Sequence, residues 1–357
     1  MKQTVALPLP PDSINTYLQV RMRCRLVRRP TAEDFQRFTG LTIAQIAHAL
    51  SEKGYEQETR ALGISRHGSD FLRAIAHQHI ESELSAVTRL CRAAPAAAAA
   101  AAWLGAYRWK YDLRLLRAAL RARRRGAEIW PDLFAPFANL PFACYRTLAR
   151  MPAFNEDAPT LMPFATSPFG ETLKRTDLTA DEIEVELCRD FYCETLSLMR
   201  AAVAGHAPAE EFVAAEMHFA NLLTLLGGRR IAASAEQVAA QMVPIAFWAQ
   251  PSALRRLIAA SNAAALAEDL AAFAGRSGWQ IPLPAAGNIK AEETIAHLYR
   301  CRLRHLAHKV IFASEPSPVV LAAYVFCLEC EAGNLNALAV AHESGIGTAE
   351  KLAAMVA

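Results

Sequence analysis

The chain has 357 residues, 53% of them apolar, and a formal net charge of only +3. That length supports a large core arranged as one extended body or two to three modules, and so small a charge does not by itself point to nucleic acid. No stretch reaches the roughly 18 to 20 strongly apolar residues of a membrane span, and the opening with Pro8, Pro10 and Pro11 lacks the charged-then-apolar order of a signal peptide, so a soluble or peripheral protein is expected.

Ala supplies much of the apolar fraction and favours helix at almost no side-chain entropy cost, while alternating β-branched runs of strand length are scarce. The expected fold class is therefore all-α. In chain order, Arg21, Arg23, Arg25, Arg28 and Arg29 come first, read as a solvated helix end or as a contact for an acidic partner or anionic headgroups. Thr31-Ala32-Glu33-Asp34-Phe35 predicts a capped helix start. Ile43, Ile46, Ala47 and Leu50 recur at helical spacing and stop at Gly54. A long helix is expected over Ser69 to Leu90, and another from about Ala96 to Arg125 with the stripe Trp109, Leu113, Leu116 and Leu120. Seven prolines between Trp130 and Pro168 permit only short helices joined by loops. Thr179-Ala180-Asp181-Glu182 caps a further helix with Ile183, Leu187 and Phe191 inward. Leu254, Leu257, Ile258, Leu266 and Leu270 mark the last part, whose Ala263 to Gly278 stretch closes on Gly278-Trp279 as the earlier one closes on Gly54-Tyr55.

One small pattern is written three times: Asp112-Leu113-Arg114-Leu115-Leu116, Asn221-Leu222-Leu223-Thr224-Leu225 and Asn334-Leu335-Asn336-Ala337-Leu338. The spacings, 109 (221 minus 112) and 113 (334 minus 221), are close to one third of the chain. Ser234-Ala235-Glu236-Gln237-Val238 follows the second copy and Thr348-Ala349-Glu350-Lys351-Leu352 the third, each a hydroxyl cap, an acid and an apolar stripe. The counterpart after the first copy, Gly126-Ala127-Glu128-Ile129, is weak. Three helical repeats are expected, over residues 1–126, 127–240 and 241–357. Asp112, Asn221 and Asn334 sit in helix interiors, a poor place for these residue types. They read as repeated structural hydrogen bonds rather than ligand-binding groups.

Chemistry finds few footholds. Cys327 and Cys330 lie in a strongly apolar helix and read as buried core thiols, and the eight Cys together suggest reduced thiols in the cytosol. His297, Cys301, His305 and His308 share one helical face that could take zinc, but Arg300, Arg302, Arg304 and Lys309 crowd it. Glu81 with Glu83, Glu182 with Glu184 and Glu186, and Glu292 with Glu293 read as solvated faces. No phosphate loop, nucleophile elbow or zinc-protease signature is present.

The chain resembles the C-subunit family of V-type and A-type ATPases, whose eukaryotic members are the d subunits. The resemblance rests on Lys110-Tyr111-Asp112-Leu113-Arg114-Leu115-Leu116, on Glu329-Cys330-Glu331-Ala332-Gly333-Asn334-Leu335, and on the opening from Arg23 to Tyr55. The Ala content, the proline-rich middle and a short turn at Gly227-Gly228-Arg229 depart from that pattern. What the resemblance implies is three pseudo-symmetric helical repeats forming a funnel with a central cavity, on the cytoplasmic face of the membrane. It implies a non-catalytic rotor adapter between the central stalk and the proteolipid ring, with no catalytic, cofactor-binding or metal residues of its own. The alternatives are an unrelated helical scaffold binding protein partners, or a helical metalloenzyme using His297, Cys301 and His305.

Overall fold

The computed structural model describes residues 12–62, 68–92, 97–151, 159–243, 248, 251–275, 292–345, 347 and 355. They contain no strand, so the fold is all-α. Packing divides the chain into two compact units: Met1–Met151 with Ala307–Ala357, and Pro152–Leu306.

The first unit contains α1 (Asp12–Leu26), α2 (Ala32–Phe38), α3 (Ile43–Leu50), α4 (Glu56–Leu62), α5 (Ser69–Arg92), α6 (Ala98–Arg125) and α7 (Phe142–Arg150). The second holds α8 (Gly170–Leu173), α9 (Ala180–Arg189), α10 (Leu196–Ala202), α11 (Ala207–Arg230), α12 (Ala235–Gln241), α13 (Pro251–Ala259) and α14 (Ala263–Gly275). Helix α15 (Glu292–Phe312) begins in the second unit and ends in the first, where α16 (Val320–Ser344) completes the chain's described helices.

The caps read from sequence at Thr31, Thr179 and Ser234 are present, and the one read at Thr348 lies outside the described residues. Thr31 and Thr179 each accept from the backbone N–H three residues on, while Asp34 and Glu182 reach back to them. Thr42 with Gln45 and Ser234 with Gln237 form the same reciprocal pair. The α3–α4 connection kinks at Gly54, whose φ of 90° is one that a side chain would strain. Among the described residues between Trp130 and Pro168 there are short pieces only: a 3₁₀ turn at Ala135–Phe137, α7, and another 3₁₀ turn at Pro159–Phe164.

Helix α16 organises the first unit. It packs against α5, α1 and α6, and its residues from Val320 to Ala332 are all buried, as expected of a helix apolar on every side. Leu335 and Leu338 join Phe35, Phe38, Leu50 and Ile75 in one core cluster. In the second unit α11 packs against α10, α12 and α13, and the Tyr299 hydroxyl of α15 donates to the Ala215 carbonyl at 2.9 Å.

The expected turn at Gly227-Gly228-Arg229 is not one. Helix α11 runs straight through it to Arg230. Glycine serves there as a gap rather than a break: a Cβ on Gly228 would lie 2.3 Å from Val238 Cγ2, and Val238 is buried. Gly228→Ala is therefore expected to push α12 off α11 and cost about 1–3 kcal/mol, readable as a shift in the denaturation midpoint. Unchanged stability would mean that Val238 yields freely.

Candidate functional site

The three signature residues occupy matching places. Counted from Ala98, Ala207 and Val320, Asp112, Asn221 and Asn334 are each the fifteenth residue of their helices α6, α11 and α16. All three are buried, at 0%, 0% and 2% exposure, as are Leu113, Leu116, Leu222, Leu225, Leu335 and Leu338.

Two of them grip chain that follows their own helix. Asp112 accepts from the backbone N–H of Asn139 at 2.8 Å and of Leu140 at 3.1 Å, and from the Tyr145 hydroxyl on α7. One turn earlier, Arg108 donates to the carbonyls of Phe137 and Ala138. Pro141 ends this segment and starts α7, so the pair holds the entry to that helix. Burial moves the Asp112 carboxyl above its ordinary value, against the downward pull of its three donors. Asn221 grips one residue from both sides: its Oδ1 accepts from the Val243 N–H at 2.7 Å and its Nδ2 donates to the Val243 carbonyl at 2.9 Å. The segment at the corresponding distance from Asn334, like the echo from Thr348 to Ala354, lies outside the described residues.

Beside α16 is a buried network of charges. Arg29, at 5% exposure, lies 3.0 Å from Glu83 on α5 and 3.6 Å from Glu331 on α16. It also donates to the Tyr324 hydroxyl at 2.9 Å, and that hydroxyl donates to Glu83 at 2.7 Å. Arg25 reaches Glu83 at 2.6 Å, and the Tyr55 hydroxyl donates to Glu331. Tyr55 stacks on His79 at 3.8 Å, and His79 Nδ1 lies 3.0 Å from Glu58. On the α6 side, Glu329 accepts from Lys110 at 2.9 Å and Tyr111 at 2.8 Å. Helices α1, α4, α5 and α16 contribute to the network around Arg29, which lies three residues past α1, while Lys110 and Tyr111 of α6 gather on Glu329 of α16.

Two readings of the sequence are corrected by this network. The first arginine cluster is not uniformly a solvated helix end: Arg21 and Arg28 are exposed, but Arg29 is buried between carboxylates, and Arg23 donates to the carbonyls of Ile311 and Ala313. Glu83 is not on a solvated face, because Arg25, Arg29 and Tyr324 draw it inward; Glu184 is buried as well. The clue available in sequence was Glu329 and Glu331, two acids inside an apolar run, which called for buried partners.

Burial pushes Glu83 up, yet Arg29, Tyr324 and Arg25 outweigh it and hold the carboxyl below its ordinary value; Glu58 is held down beside His79 in the same way. A carboxyl depressed in the fold contributes stability above the unfolded-state value of 4.5 and loses it as pH falls through the folded value. Acidification from pH 6 to below about 4 is expected to lower stability, and Glu83→Gln should flatten that dependence. Equal slopes in parent and variant, by denaturation at several pH values, would contradict this.

The remaining candidates are placed plainly. Cys327 and Cys330 are buried at 4% and 1% exposure. His297 Nε2 and Cys301 Sγ are 3.6 Å apart, His305 is exposed, and burial with Arg300 nearby holds His297 below its ordinary value. Among the described residues no three His, Cys, Asp or Glu side chains converge as a metal site.

The sequence model of the family described as ATP synthase (C/AC39) subunit matches residues 18–350. The chain belongs to that family. No curated protein matches it. The C/AC39 family is the C/d-subunit family of the V/A-type ATPases, so the resemblance carried by Asp112, Asn334 and their neighbours holds over nearly the full chain. Membership places this C/AC39 chain with an ATPase subunit family rather than with an unrelated helical scaffold. Among its described residues no helix is long and apolar enough to cross a membrane.

Proposed function

We propose that the chain is the non-catalytic central-rotor adapter of a V/A-type rotary ATPase. In this reading it lies peripherally on the cytoplasmic face, links the central stalk to the membrane proteolipid ring, and supports ATP-coupled proton or sodium transport without an active site, cofactor or metal of its own. The family match over residues 18–350 carries the proposal. The matching places of Asp112, Asn221 and Asn334 in their helices support its second element, three repeats over residues 1–126, 127–240 and 241–357 that surround a cavity as a funnel. Close-packed helices resist deformation, which suits a part that passes torque.

Affinity purification of the tagged full chain from intact membranes tests this reading. Stalk subunits and proteolipid are expected to be recovered together with it. Recovery of neither, from membranes that contain an active ATPase, would overturn the proposal.

A further inference from the structure

Helix α1 is buried on one side and open on the other. Inward, Leu18 and Met22 are fully buried, and Gln19 donates to the carbonyls of Val310 and Ala313 at the end of α15. Outward, Tyr17, Val20 and Val27 are 47%, 49% and 73% exposed, beside the exposed Arg21, Cys24 and Arg28. Continued at about 100° per residue through the turn at Val27 and Arg28 just past α1, where the Val27 N–H still reaches the Arg23 carbonyl at 3.0 Å, these six positions fall within an arc of roughly 120°. Phe312, 49% exposed, lies next to this arc, since the Arg23 guanidinium is 5.8 Å from its ring centre and Arg23 is three residues from Val20. Four of the nine large hydrophobic side chains exposed among the described residues therefore gather here. Single scattered exposures would need no explanation; a cluster does.

The face is also divided by charge. Arg21 and Arg28, two turns apart, follow one edge, while Val20, Val27 and Phe312 follow the other. Among the described residues the ion pairs of this segment belong to Arg25 and Arg29 and not to Arg21 or Arg28. The one acid of α1 is Asp12, at its start.

We propose that this face docks an acidic amphipathic helix of another protein chain. The inference goes beyond the rotor reading and rests on it only for the assembly in which the partner is sought. A lipid surface is the rival occupant, and the side chains argue against it. Interfacial helices insert Trp, Phe or Leu, and polybasic lipid sites gather about four to eight cations. This face offers two valines, a tyrosine, a single Phe312 and two outward arginines, with Val27 and Arg28 in the turn just past α1. Small Val and Cys side chains instead let a second helix approach to about 8–10 Å between axes. Phe312 supplies an aromatic anchor at the apolar edge, and the two arginines meet carboxylates at a matching two-turn interval, which fixes register and direction.

A benzophenone side chain placed at Val27, in the full chain within its membrane-bound assembly, reads the occupant directly once the crosslinked peptide is sequenced. The expected product is one helical segment of a partner chain with Asp or Glu three, four or seven residues apart. Arg21→Glu combined with Arg28→Glu should lower the crosslink yield roughly tenfold at low salt. Maleimide labelling of Cys24, the one exposed cysteine among the described residues, should be slower in the assembly than in the isolated chain by a similar factor. Crosslinks to lipid, or protection of Cys24 by phosphatidylserine vesicles alone, would overturn the proposal in favour of a membrane. Crosslinks to a neutral or basic segment, or unprotected Cys24 in the assembly, would overturn it as well. Failure of the chain to assemble with an ATPase counts against the rotor reading instead, and the crosslink then tests α1 in whichever complex retains the chain.

Discussion

Replacing Arg29 with Met is expected to destabilise the first unit by about 3–5 kcal/mol. The guanidinium is 5% exposed and is the only group bridging Glu83 on α5 and Glu331 on α16 among the described ion pairs. Its net worth to the native state is modest, because burying it took a full charge out of water. Its removal is costly because Glu331 would stay buried without that cation, and Glu83 would keep Arg25 as its one cation beside the Tyr324 hydroxyl. Burial works against the Arg29 charge, but Glu331, Tyr324 and Glu83 outweigh it and hold the guanidinium firmly protonated. Adding Glu331→Gln to Arg29→Met should restore part of the loss, since the orphaned charge goes with it. Arg29→Lys keeps the charge but loses the planar fork, so an intermediate loss is expected. With two compact units in the chain, denaturation curves need a local readout. Hydrogen exchange of the α5 and α16 amides supplies it. An Arg29→Met chain within about 1 kcal/mol of the parent would show that the network is dispensable.

Asp112→Ala is expected to be comparably severe. It strips acceptors from two backbone N–H groups, Asn139 and Leu140, and from the Tyr145 hydroxyl. At about 1–3 kcal/mol for each group left unpaired, the three sum to about 3–9 kcal/mol, toward the lower end where water reaches the half-buried Asn139 and Leu140. The conservative exchanges discriminate better. Asp112 faces three donors, so Asp112→Asn turns its amide toward one of them and is expected to cost about 1–3 kcal/mol. Asn221 faces one donor and one acceptor on Val243, so Asn221→Asp sets a carboxylate oxygen against a carbonyl and is destabilising too. Matching positions in the two helices thus have opposite requirements. If both exchanges proved silent in thermal denaturation, the clamps would be incidental.

Much of this fold was legible because its signals are local. A Ser or Thr followed three residues on by an acid or amide gave the starts of α2, α9 and α12, and the prolines after Trp130 announced short pieces. The signature was legible because a polar residue in the middle of a long helix needs a reason wherever it stands. What stayed hidden depends on partners far along the chain. Nothing around Arg29 foretells Glu83 or Tyr324, the latter 295 residues away. Gly227-Gly228 misled for a related reason: glycine weakens a helix locally, but the cause of its use is Val238, brought close by tertiary packing. The three repeats read from sequence and the two compact units divide the chain differently, since α16 returns to lie among α1, α5 and α6. A repeat describes how a chain is written, a unit how it packs.

The rotor role itself is tested most directly by ATP-driven ion transport in membrane vesicles from cells that lack this chain. Transport is expected to be lost and to return when the full-length chain is supplied. Vesicles that pump at the parental rate without it would contradict the account.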